Sequence, residues 1–138
     1  MLIRVPAVRS DGSPVRIGDI LARLPGNGFN WSVLYFYGVG VAPRGMDMAA
    51  FENACLNSAH GFSLDWDELL TFVDGIDQAF DLLVVASTQP DRIDAQAVRE
   101  DDYSGCEFVL NLFDSTSLDI AYDDKLEALF GAAGKAII

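Results

Sequence analysis

Between Gly45 and Asp91 the chain has no lysine and no arginine. Basic residues are scarce throughout, 9 against 21 acids, for a formal net charge of −12. The imbalance is uneven. Residues 1–44 hold five arginines and two acids, a net of +3, and residues 45–138 hold four basic residues and 19 acids, a net of −15. Such a surface repels nucleic acid and anionic membranes, which are polyanions. It serves solubility, or it attracts a basic protein and speeds the encounter.

Histidine is almost missing. His60 is the only one, and no zinc-type spacing accompanies it. The two cysteines, Cys55 and Cys106, form no CxxC pair, and nothing in their spacing suggests a disulfide. No apolar run approaches the ~20 residues that cross a bilayer. The opening "MLIRVPAVRSDG" is broken by Arg4 and Pro6, unlike a secretory leader. Repeats, low-complexity tracts and Ser/Gly linkers are absent. These absences lead to the expectation of a cytoplasmic protein with reduced thiols.

The chain itself has 138 residues, 51% hydrophobic and 22% charged, a balance that folds as one domain without staples. "LIRVPAV" reads as an edge strand because of Pro6. Ile17, Ile20, Leu21 and Leu24 recur at helical spacing up to the stop at Pro25. "FNWSVLYFYGVGVAP", residues 29–43, is apolar on both alternating faces and reads as a central strand covered on both sides. "MDMAAFENACLNSAHG" reads as a helix with a Met48, Phe51, Cys55 and Ala59 stripe, closed by Gly61. In "SLDWDELLTFVDGIDQAFD" a helix starts at a cap on Ser63 or Asp65. Its stripe is Trp66, Leu69, Leu70, Val73, Ile76 and Phe80, and Asp74-Gly75 leaves a kink or early end open. "LLVVAS" reads as a buried strand, and "RIDAQAVREDDYSG" as mostly loop. "CEFVLNLF" and "LDIAY" form a hairpin across "DSTS", and "DDKLEALFGAAG" is a last helix ended by Gly131 or Gly134. The expected fold is a single α+β domain, with a mixed or mostly antiparallel sheet of about five strands and helices chiefly on one face.

The search for chemistry returns ordinary roles. Asp114 serves the turn, Asp119 the wet face of an alternating strand, and Asp123 or Asp124 a helix cap. "GVGVAPRG" has a misplaced third glycine and no lysine for a phosphate loop. The acid pairs lack the interleaved spacing of a calcium loop. No catalytic residue, cofactor or metal is expected. Trp31, Tyr35, Phe36 and Tyr37 read as core, or as the lining of a pocket. With Cys55 or His60 that pocket would serve a small-ligand binder or an enzyme. In "REDDYSG", Asp101, Asp102 and Tyr103 suit an anchor for a basic partner.

The segments "SLDWDELLTFVDGIDQAFDLLVVA" and "CEFVLNLFDSTSLDIAYDDKLEALFG" resemble those of small acidic bacterial immunity proteins of polymorphic or contact-dependent toxin systems. The shared pattern is a Trp-Asp-Glu-Leu helix with Gln78 and Asp81 near its end, a strand, and an "FDST" turn between two strands before a short helix. It covers roughly half the chain. The resemblance implies a non-enzymatic protein that binds and neutralises a cognate, basic toxin domain. The candidate contacts for such a partner, read from the acidic loop and the hairpin, are Asp101, Asp102, Tyr103, Asp114 and Asp119. The alternative is an accessory or adaptor domain, with or without homodimerisation, that serves no toxin.

Overall fold

A computed structural model describes residues 2–135. Six strands form one antiparallel sheet in the order β1-β6-β5-β4-β2-β3. They are β1 (Leu2–Pro6), β2 (Asn30–Gly40), β3 (Phe62–Leu64), β4 (Ile76–Ser87), β5 (Phe108–Phe113) and β6 (Ser117–Tyr122). The helices are α1 (Ile17–Leu21), α2 (Met48–Asn57), α3 (Trp66–Asp74), α4 (Ala95–Arg99) and α5 (Glu127–Lys135). The architecture is α+β, and the sheet has one strand more than expected. The extra strand, β3, is too short for its alternation to show in sequence.

Four helices cover one face of the sheet. Their core joins Ile20 and Leu21 of α1, Phe51 and Cys55 of α2, Leu69 and Phe72 of α3 and Phe130 of α5 to the strands. Trp31 is fully buried there, with ring centroids 5.6 Å from Phe108 and 5.2 Å from Trp66. Phe130 lies 4.9 Å from Phe108, which docks α5. This anchor holds the helix through Gly131, so neither glycine ends it, and α5 runs on to Lys135. Among the described helices α4 alone packs on the opposite face. Ile93, Ala95 and Val98 cover Leu34, Leu83, Val85 and Val109. The segment read as mostly loop thus holds one helical turn, capped by the Asp94 carboxylate.

α3 has a complete capping box. The Asp65 side chain accepts from the Glu68 N–H, and the Glu68 side chain accepts from the Asp65 N–H. The helix stops at Asp74 rather than Asp81, with the Gly75 N–H closing on the Phe72 and Thr71 carbonyls. Ile76 and Phe80 therefore belong to β4, not to a helical stripe. Pairing with β2 overrides local helix propensity here: Ile76 faces Gly40 and Gln78 faces Val39. α2 ends at Asn57, with Ser58 already extended. Ala59 is exposed, and Gly61 instead turns the chain into β3 at φ +82°.

Candidate functional site

The faces of the sheet follow from register. Phe36, Leu82, Leu112 and Leu118 form one transverse row and all lie in the helix-side core. One residue on, alternation turns Tyr37, Asp81 and Phe113 to the other face. A bulge at Leu34 puts both Leu34 and Tyr35 on that second face. The aromatic cluster of β2 is thereby divided. Trp31 and Phe36 are core under the helices, Tyr35 packs against the α4 side, and Tyr37 is 54% exposed. The expectation of a strand covered on both sides holds for its first half only.

α4 and its loops cover the upper rows of this second face and leave the lower row open. Tyr37 and Phe113 are 54% and 64% exposed, and Val39 is 54% exposed. Phe80 completes the group, its ring 5.3 Å from Tyr37 in a tilted stack. The bulge between Tyr37 and Gly38 makes Phe80 the extra residue of β4. Gly38 has no room for a side chain, because a Cβ would stand 2.3 Å from the Gln78 carbonyl oxygen. Solitary exposed apolar residues are ordinary; here the Tyr37–Phe80 ring pair, Val39 and Phe113 share one sheet face.

Above this row runs a polar strip. Arg4 on β1 faces Asp119 on β6, and its Nε and Nη2 donate to the two carboxylate oxygens at 2.8 and 2.9 Å. Asp119 is only 9% exposed. It is therefore a buried cross-strand partner, not the solvent-facing contact that the alternation of "LDIAY" predicts. The outer strand β1 supplies the cation that covers it. Asn111 is its neighbour on β5. Tyr103 reaches the same strip: its hydroxyl donates to Asp101 across 3.4 Å. Burial, then Asp101, raise the Tyr103 pKa, against a hydrogen bond from Asn111.

Of the candidate contacts, the structure brings Tyr103, Asp101 and Asp119 together. Asp101 sits in the left-handed region at φ 66°. Asp102 turns aside to accept from the Ser104 N–H and hydroxyl, which lower its pKa. Asp114 is at the hairpin tip beside Phe113. Asp114 and Ser115 both have positive φ, 50° and 57°, with the Thr116 N–H returning to the Phe113 carbonyl, the geometry of a tight hairpin turn. The loop has three residues, since Phe113 already pairs with Ser117. Asp81 fixes this tip by accepting from the Asp114 N–H at 2.8 Å. Gln78 and Asp81 are thus strand residues and do not close a helix.

Cys55 is fully buried, and desolvation pushes its thiol up to about 12. Cys106 is half-buried and pushed up to about 11, again by burial. Neither supplies much thiolate at neutral pH. His60 is exposed, with Nδ1 2.7 Å from the Ile93 carbonyl. Among the described residues no group of three or more His, Cys, Asp or Glu gathers to hold a metal ion. No described helix is long and apolar enough to cross a membrane. Gly38 and Gly40 lie inside β2, and the next α-helix begins only at Met48.

Sequence reasoning missed Tyr37 and Phe113 as exposed residues and put the half-buried Phe80 on a helical stripe. A signal exists for the first. In "YGVG" glycines alternate with large residues, so one face of the strand is bare and the other is crowded. Nothing local marks Phe113, whose exposure follows from where the covering helix stops. No family model matches the chain, and no curated protein or solved structure matches it either.

Proposed function

We propose that this chain is a non-enzymatic protein-binding domain of the immunity type, which docks a basic toxin domain on the open sheet face. The observation that carries this reading is the aromatic row of exposed Tyr37 and Phe113 with half-buried Phe80 on a strongly acidic protein. Aromatics at the centre of a polar surface are the usual energetic anchors of an interface. Asp77, Asp101, Asp102 and Asp114 are exposed and supply the sign of charge that attracts a cationic partner. A dimer built on the same face would bring two net charges of −12 together, which favours a partner of opposite charge over a second copy.

The experiment is co-expression with the product of the adjacent upstream open reading frame. The reading expects that product to be toxic alone, and growth to return when this chain is present, with the two copurifying at fixed stoichiometry. Absence of toxicity, or toxicity without rescue, rejects the immunity role. A dimer that is indifferent to that product would favour the adaptor reading.

A further inference from the structure

A cleft of about 940 Å³ opens between α1, α3 and the start of β4. Val15, Ile17 and Asp19 line one side, and Leu70, Val73 and Ile76 the other. Its cause is a gap in the sheet. β4 begins at Ile76, but β5 pairs with it only from Leu82 onward. The β5–β6 hairpin ends early, and its tip docks on β4 through the Ser115 N–H to the Phe80 carbonyl and the Ser115 hydroxyl to the Ala79 carbonyl. Below that point Ile76 and Gln78 pair with β2 on one edge, and Asp77 falls at an irregularity between them. Among the described residues no strand pairs with their other edge.

An unpaired strand edge beside an apolar trough is a template for an added strand. The charge at the mouth selects its sign. Asp74 and Asp77 are exposed on the β4 side and Asp19 lies on the α1 side, against Arg16 among the lining residues. Asp19 also faces Arg9 at 3.8 Å. We infer that this cleft takes an extended, positively charged peptide segment of a protein partner, which adds to the open edge of β4 at Ile76–Gln78. At ~3.3 Å per residue the open edge is roughly 10 Å long and admits about three residues. Alternate side chains enter the trough, and the others, basic, meet Asp74 and Asp77. The inference rests on the reading of the chain as a protein-binding domain and adds a mode of contact distinct from the aromatic face.

The test needs no knowledge of the partner. A capped heptapeptide of alternating lysine and valine is titrated into the isotopically labelled chain, with amide shifts followed by NMR. Shifts confined to residues 16–22 and 70–80 are expected. A peptide with glutamate in place of lysine, and one of lysine alone, should bind at least about tenfold more weakly. Ala79→Trp, which fills the trough, and the surface change Asp77→Lys should each weaken the alternating peptide by about tenfold or more. Unchanged spectra elsewhere show that both variants keep the fold. Absent shifts, shifts gathered at Tyr37 and Phe113, or equal binding of the lysine-only peptide would overturn the inference. Each of these outcomes leaves growth rescue unaffected, and failed rescue leaves peptide binding standing.

Discussion

Arg4 and Asp119 are 115 residues apart in sequence and directly opposed across β1 and β6, joined by two hydrogen bonds. The carboxylate is 12% exposed at its side chain and the guanidinium 65%. The pair thus fastens an edge strand from its outer side. Asp119→Ala should lower the melting temperature by roughly 2–5 °C. Arg4→Met, which leaves a largely covered carboxylate without its cation, should cost at least as much. The double variant should fall short of the sum, as measured by a double-mutant cycle in thermal denaturation.

Gly38 separates the aromatic row from a tight strand crossing. A Cβ there would meet Gln78 O at 2.3 Å and Ala79 Cα at 3.1 Å. Because both are backbone atoms, neither can swing away. Gly38→Ala should destabilise the domain by about 1–3 kcal/mol in urea unfolding, the range for overpacking. An unchanged midpoint would mean that β2 and β4 part more readily than their register suggests.

The link between Arg44 and Glu68 gives a pH dependence. Arg44 Nε donates to Glu68 at 2.7 Å, and the Asp65 N–H donates to the same carboxylate at 3.1 Å. The Arg44 hydrogen bond first, then that of the Asp65 backbone, lower the Glu68 pKa from its ordinary 4.5. A carboxylate depressed on folding stabilises above its unfolded pKa, and that contribution is lost as pH falls through the folded value. Wild type should therefore exceed Glu68→Gln in melting temperature at pH 7. The gap should narrow below about pH 4, as followed by circular dichroism.

How much of this was legible beforehand depends on how local the cause is. The start of α3 needed only Asp65 and Glu68, three residues apart, and the terminal hairpin needed only two apolar runs around Asp-Ser-Thr. Both are present. The end of α3 was ambiguous, because Ile76 and Phe80 continue the helical spacing of Phe72 and Val73. Gly75 was the sole local sign of a stop, and cross-strand pairing with Gly40 and Val39 decided it. Asp119 shows the same limit: alternation gives its face, but not that Arg4 would cover it. The open sheet face was half legible. "REDDYSG" placed Tyr103 and Asp101, while Phe113 depends on how far α4 extends over the sheet.

The cysteines report on opening. Cys55 lies fully buried with its thiol near 12, and Cys106 half-buried near 11. At pH 7.5 iodoacetamide should modify Cys106 slowly and Cys55 only through unfolding. In urea both should label at the rate of free thiols. Rapid labelling of Cys55 without denaturant, followed by mass spectrometry, would show α2 detaching from the core.

The central claim is that the aromatic row of the open sheet face holds the partner. Its most direct measurement is the affinity of the copurified partner for wild type and for Tyr37→Ser/Phe113→Ser, by calorimetry at fixed salt. Both side chains are more than half exposed, so the variant should keep its melting temperature within about 2 °C and lose about a hundredfold or more in affinity. A folded variant that binds the partner as tightly as wild type would contradict the account.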